Sequence, residues 1–241
     1  MFDTGPVVAA EYATGLDPAD NPLAEPVDPA ARRDRLRLVA DRAAPLALAR
    51  ERTLPLLSAV ADLFPDGALR RGSVVGVDGV GATSLALAVA AGPSAAGSWT
   101  AVVGDPGLGL AAVGEAGVAL ERLLVVDPPE PSGWAGAVAA LVGAVDVVLV
   151  APGRVKGGDS RRLTSRLRER GSVLIRIGNV TTGVDVALRV ESVEWSGLGV
   201  GHGLLQSRRV VVRAEGRGAS ARPRTAELLL PGPAGAPVRS P

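Results

Sequence analysis

The chain contains no cysteine, which excludes a disulfide framework and thiol chemistry and suits a reducing cytoplasm. It has one histidine, His202, too few for a multi-histidine metal site and leaving no alternative for a Ser-His-Asp triad. Aromatic residues make up 2% of the chain, so alanine, valine and leucine must fill the core. Lysine is almost missing too: Lys156 stands alone among 26 basic residues. That arginine bias accompanies abundant Ala, Gly and Val, so the arginine count alone says little about function. No apolar run approaches the ~20 residues of a membrane-spanning helix. The opening MFDTGPVVAAEYATGLDPAD has acids but no basic n-region and is not expected to be a secretory signal. The expected location is the cytoplasm.

What is present suits one substantial domain with appendages. Hydrophobic residues supply 47% of the chain, enough for a large core. Net charge is +1 but unevenly spread. Residues 1–30 hold six acids and no base, residues 71–150 two bases and seven acids, and residues 151–241 sixteen bases and seven acids. The C-terminal third can attract phosphate, or it can simply present a solvated arginine surface.

Residues 1–30, with five prolines and no periodicity, are expected to form a disordered acidic tail. Residues 31–66 are expected to form a helical extension. There Leu36, Val39, Ala40 and Ala43 share one side before Pro45 interrupts. TLPLLSAVADLF predicts a second short helix, with Thr53 as N-cap and Leu56, Val60 and Leu63 inward. Over residues 67–232 the pattern becomes regular. Apolar segments at Ser73–Asp78, Thr100–Gly104, Arg122–Asp127, Asp146–Ala151 and Ser172–Ile177 alternate with helical stretches, the grammar of a parallel sheet covered on both faces. After Asn179, VDVALRVESVEW, RRVVVRAE and TAELLL read as antiparallel strands extending one side of that sheet. Residues 233–241 are expected to be a disordered tail. The fold class is therefore α/β: a mostly parallel sheet flanked by helices, with antiparallel C-terminal strands and an N-terminal helical extension.

One loop carries chemistry. GVDGVGAT, Gly76 to Thr83, follows a predicted strand and opens a predicted helix. A phosphate-binding loop needs glycines that let backbone N–H groups converge, a lysine for the terminal phosphates, and a hydroxyl for magnesium. Gly76, Gly79 and Gly81 are in place, and Thr83 and Ser84 supply hydroxyls. The lysine position holds Ala82. Two further positions depart from the pattern such a site needs. The strand VDVVLV ends in Ala151, where an aspartate would orient magnesium, and the catalytic-glutamate position carries Asp105 followed by Pro106. Losing lysine and metal carboxylate together removes the main electrostatic stabilisers of phosphoryl transfer. No catalytic residue, no metal site and no cofactor are therefore expected; ATP with magnesium is the one cofactor the loop's shape would suggest.

These residues resemble the RecA superfamily. LPLLSAVADLFPDGALRRGSVVGVDGVGATSLALAVAA is similar to the entry of the RecA-like core with its Walker A loop. The likeness continues through the strands ending at Asp105 and Ala151 to the closing strands, with Asn179 near the position of a nucleotide-sensing polar residue. Within the superfamily the chain looks most like the ImuA-type proteins of actinobacterial damage-tolerance operons. That resemblance implies a non-catalytic accessory of mutagenic translesion synthesis. It also implies two partners, a Y-family polymerase homologue, ImuB, and an error-prone C-family polymerase. NVTTG is too short for a recombinase's DNA-gripping loop, so strand exchange is not expected. The alternatives are a weak or atypical DNA-dependent ATPase using Thr83, Asp105 and a charge from a partner, or a regulator that caps a RecA filament.

Gly153–Gly171 concentrates seven bases against two acids. Leu163 and Leu167 would face the sheet and leave Arg161, Arg162, Arg166, Arg168 and Arg170 outward, which with Arg154 and Lys156 make a candidate DNA or partner patch. The other reading is a solvated helix face, and no aromatic interleaves the patch for base stacking. The helix over residues 31–52 would dock on a partner, on a second copy, or on its own domain. His202 is expected in a turn, Trp99, Trp134 and Trp195 in the core or at sheet edges, and Asp146 in a turn rather than as a ligand.

Overall fold

The computed structural model describes residues 52–128, 130, 133–151, 160–178, 182–199 and 201–240. The expectations for residues 1–51, for Pro152–Asp159 with Arg154 and Lys156, and for Asn179 lie outside these residues. The chain divides into two compact units, Met1–Ala47 and Leu48–Pro241. Everything described belongs to the second.

The second short helix predicted from Thr53 is not formed as expected. Thr53–Pro55 is a strand, β1, paired antiparallel with Ala68–Arg70, β2. A proline disfavours helical geometry in the residue before it, which frees Leu54 to extend, and Leu54 and Leu69 are buried as a facing pair. Only Ser58–Ala61 is helical (α1), with Leu57 rather than Thr53 at its N-cap. Val60 and Leu63 are buried as predicted, and Leu54, Val60, Leu63 and Phe64 join the main core. The body of the domain therefore begins before residue 67.

The regular section then follows. Val74–Asp78 (β3) leads to Ala82–Ala95 (α2), Thr100–Val103 (β4) to Leu110–Glu115 (α3), and Leu123–Val126 (β5) to Trp134–Leu141 (α4). Val147–Val150 (β6), Ser160–Arg170 (α5) and Val173–Ile177 (β7) complete it. The strands β3, β7, β6, β4 and β5 lie side by side and parallel. Strand alternation sorts the valines between two cores. Val147 and Leu149 of β6 pack toward α2, whereas Val148 and Val150 pack toward Trp134, Val138 and Leu167 of α4 and α5. The backbone at Leu56 and Leu57 packs against α2 at Gly92, where a Cβ would fall 2.7 Å from the Leu56 Cα. Only a glycine admits that crossing.

On the far side of β3 lies Val186–Trp195 (β8), which runs parallel to it, not antiparallel as expected. β7 ends with Ile177 beside Val77, and β8 begins with Val186 beside Val75, so the chain re-enters the sheet from the end at which β3 begins. Leu198–Gly199 (β9) and His202–Gly203 (β10) form a small hairpin, so His202 sits on a short ladder at an exposed tip. Antiparallel pairing starts with Arg208–Gly216 (β11) and continues through Arg224–Leu229 (β12). It ends with Val238–Arg239 (β13), so the tail over 233–241 is not featureless: Leu228 and Leu229 pair with Arg239 and Val238. Among the described residues these nine strands form one sheet, ordered β13-β12-β11-β8-β3-β7-β6-β4-β5. One irregularity interrupts the β8–β11 ladder. Val212 faces Val190 and Val211 faces Ser192, which leaves Glu191 unopposed as a β-bulge.

Candidate functional site

The glycine loop is shorter than its spacing suggests. Gly76 lies inside β3, opposite Arg176 of β7 and Ala187 of β8, so it is part of the sheet and not of the loop. Only Gly79, Val80 and Gly81 connect strand to helix. Gly79 (φ 100°) and Gly81 (φ 83°) adopt left-handed backbone, which the turn requires. Gly79 also lies against β8, where a Cβ would meet the Val190 carbonyl oxygen at 2.6 Å. Ala82 is buried in the core and carries nothing toward the loop. Thr83 and Ser84 are half-buried in the first turn of α2. The N-cap, Gly81, offers no side-chain cap, and that first turn contains no acid. The Ala82 N–H donates to the Gly79 carbonyl and the Leu85 N–H to that of Gly81. Among the described residues no acceptor takes the N–H groups of Thr83 and Ser84. Asp78, the nearest carboxylate in sequence, is committed: Oδ1 accepts the Gly79 N–H at 2.8 Å and Oδ2 pairs with Arg189 at 3.4 Å.

The charge beside this loop comes from a residue the sequence reading missed. Arg208 opens β11, and its guanidinium lies directly against Gly81, so that a Cβ there would fall 2.6 Å from Cζ. Its Nε–H donates to the Leu230 carbonyl at 2.5 Å, and its Cζ lies 5.4 Å from the centre of the Trp195 ring. Arg208 is 7% exposed, and burial pulls its guanidinium below the ordinary arginine range. Nη2 is buried without an acceptor among the described residues. One signal was legible: Arg208 shares the inward face of its strand with Val210, Val212 and Ala214. A charged residue in an apolar register is a departure that needs a reason.

The remaining candidates are dispersed. Ala151 is buried at the end of β6, its N–H bonded to the Val103 carbonyl. Asp105 and Pro106 follow β4 through Gly104, and the Trp134 indole covers Gly104 so closely that any Cβ there would overlap the ring. Trp134 is thus a core residue, whereas Trp99 and Trp195 are exposed. Arg176 is pulled below the ordinary range by burial and donates through Nη1 to the Thr182 carbonyl at 3.4 Å.

The arginine patch divides. Leu167 is buried and Leu163 packs beside it, leaving Arg162 and Arg166 exposed on α5. Arg168 and Arg170 belong to a different surface. With Arg52, Arg70, Arg71, Glu169 and Gly171 they line an open groove of about 570 Å³ at the N-terminal edge of the parallel strands. Arg71 is fixed there by Asp146, whose Oδ1 accepts Nη1 at 2.8 Å while Oδ2 accepts the Trp99 N–H at 3.1 Å. Asp146 is therefore a structural anchor as well as a turn residue. The sequence pattern could not join Arg52 and Arg70 to Arg168, because the sheet assembles them from separate segments. Among the described residues, no group of three or more His, Asp or Glu side chains has the geometry to hold a metal ion, and no helix is long and apolar enough to cross a membrane.

Residues 62–182, half of the chain, match the model of the MT3502 N-terminal domain. The chain belongs to that family. The matched span of this MT3502-type protein covers the glycine loop, β4 to β7 and α5. It is also 37% identical over 111 residues to the uncharacterized protein Rv3395c of Mycobacterium tuberculosis, a stretch that is 45% of this chain and 53% of that protein. It thus spans about half the length of that curated relative. Among solved structures, the RadB recombinase aligns with a TM-score of 0.52 at 14% identity, over 71% of this chain and 92% of that one. The flagellar accessory protein FlaH of Methanocaldococcus jannaschii aligns at 0.49 and 13% identity, over 74% and 93%. The MT3502-type core has a RecA-like fold.

Proposed function

We propose that this protein is a RecA-like accessory of DNA-damage tolerance that works by docking and does not hydrolyse nucleotide. The observation that carries the reading is a set of matching losses. Ala82 and Ala151 are both buried alanines at positions where a RecA-like motor carries lysine and a metal-orienting carboxylate. Pro106 follows the only carboxylate near the glutamate position. A fold kept without its electrostatic stabilisers retains its surfaces as working parts. The arginine groove is the surface with the chemistry for a polyanion, and DNA phosphates are its natural occupant. The resemblance to ImuA-type proteins supplies the setting: an ImuB-like polymerase homologue and an error-prone C-family polymerase as partners.

The test has two arms. Magnesium-dependent ATP turnover above background, with or without DNA, would overturn the non-catalytic reading. The substitutions Arg70→Glu, Arg168→Glu and Arg170→Glu should together weaken DNA binding and flatten its salt dependence. Unchanged affinity and salt slope remove the groove from the reading. Co-purification with the polymerase homologue from damaged cells is the expected result for the docking role, and no association overturns it.

A further inference from the structure

The first turn of α2 and the guanidinium of Arg208 present the same sign of charge to each other. A helix N-terminus carries roughly half a positive charge and is normally met by an acid or a capping oxygen. Here Gly81 provides no cap, no acid lies in the first turn, and two N–H groups lack acceptors among the described residues. Against that end lies a buried arginine with one nitrogen unsatisfied and, among the described residues, no carboxylate partner. A buried, partly unpaired cation at the positive pole of a 14-residue helix is doubly unfavourable as it stands. Something negative resolves both terms at once. The left-handed Gly81 keeps the contact open, since any side chain there would collide with the guanidinium. Trp195 stacks near the guanidinium, and Leu230 fixes its Nε, so Nη2 is held in position rather than searching.

We infer that the loop Gly79–Gly81, the Thr83 and Ser84 amides and Arg208 form a binding site for a single phosphate-class oxyanion, held without a metal ion. The charge comes from the antiparallel extension of the sheet, not from the loop. The site takes one oxyanion group because only three residues separate strand from helix, too short a stretch to wrap a chain of phosphates. The donor set is a guanidinium fork and convergent backbone amides, which suits tetrahedral oxygens. The oxyanion is either a free anion or the terminal group of a nucleotide. Binding here is independent of the arginine groove, which lies at the other end of the parallel strands.

The test uses the full chain in EDTA at constant ionic strength, titrated separately with inorganic phosphate, pyrophosphate and ADP. Calorimetry should give saturable binding of at least one of these above a sodium chloride control. The amide resonances of Gly79 to Ser84 should shift with the same midpoint. ADP binding tighter than pyrophosphate identifies a nucleotide as the source, and equal or weaker binding identifies the free anion. Arg208→Met should weaken binding by about tenfold or more, the loss expected for a charge-assisted fork. Arg208→Lys, which keeps the charge and the burial, should retain part of the affinity and covers the case in which the methionine variant does not fold. The groove substitutions Arg70→Glu and Arg168→Glu should leave the loop shifts in place, which separates this site from the docking reading. Absence of saturable binding overturns the inference, as do binding that leaves the Thr83 and Ser84 amides unmoved and affinity unchanged in both Arg208 variants.

Discussion

Replacing Gly81 with alanine should cost far more than the addition of one methyl group, and most of the cost should depend on Arg208. The left-handed backbone at φ 83° alone penalises alanine by about 1–2 kcal/mol. The new Cβ would lie 2.6 Å from Cζ, so the guanidinium must leave. If it leaves entirely, the hydrogen bond to the Leu230 carbonyl is lost, worth about 1.5–3 kcal/mol for a charged donor. The stack on Trp195 goes too, worth about 0.5–2 kcal/mol. The coupled part is therefore about 2–5 kcal/mol, at the low end if the side chain pivots and keeps its aromatic contact. Urea denaturation of the wild type, Gly81→Ala, Arg208→Ala and the double variant closes the cycle. In the Arg208→Ala background the second substitution should cost only the backbone strain. Additivity within about 0.5 kcal/mol would refute the contact between loop and arginine.

Trp134→Ala should lower stability by about 3–5 kcal/mol in the same assay, because the indole is 2% exposed and fills the space above Gly104. Asp146→Asn should cost about 1 kcal/mol, since the pair with Arg71 is partly solvent-screened but the Trp99 N–H bond survives in modified form. The companion Arg71→Met should cost no more once Asp146 is replaced, which a double-mutant cycle reads directly.

Most of the sheet was legible because its strands are short valine runs between glycine-marked turns, and the parallel order follows from the helices between them. What was not legible depends on partners distant in sequence. Thr53–Pro55 extends because Ala68–Arg70 pairs with it, and no local signal separates that from the start of a helix. Val238–Arg239 is ordered by β12 in spite of its proline- and glycine-rich surroundings. The glycine spacing of the loop was read correctly as strand-to-helix, and the predicted strand Ser73–Asp78 already contained Gly76, which lies in the middle of β3. Of the candidate site, the missing charges at Ala82 and Ala151 were visible as letters. The charge that stands beside the loop was not, since Arg208 reaches Gly81 only through the sheet order. Arg168 and Arg170 were recognised as basic, but their groove needs Arg52 and Arg70 from the other end of the domain.

The extra residue in β8 decides which way an aromatic ring points. Directly opposed residues share a face, so Val190 with Val212, Val193 with Val210 and Trp195 with Arg208 all lie on the inward side. Val190 and Val193 are three apart, an odd step that strict alternation forbids and that Glu191 makes possible. Were the bulge absent with every residue of β8 kept, strict alternation would carry Trp195, five positions on from Val190, through the sheet to the opposite face. Arg208 would keep its own orientation and lose its aromatic neighbour. One bulged residue, more than a hundred positions from the loop, thus keeps the guanidinium covered and away from water.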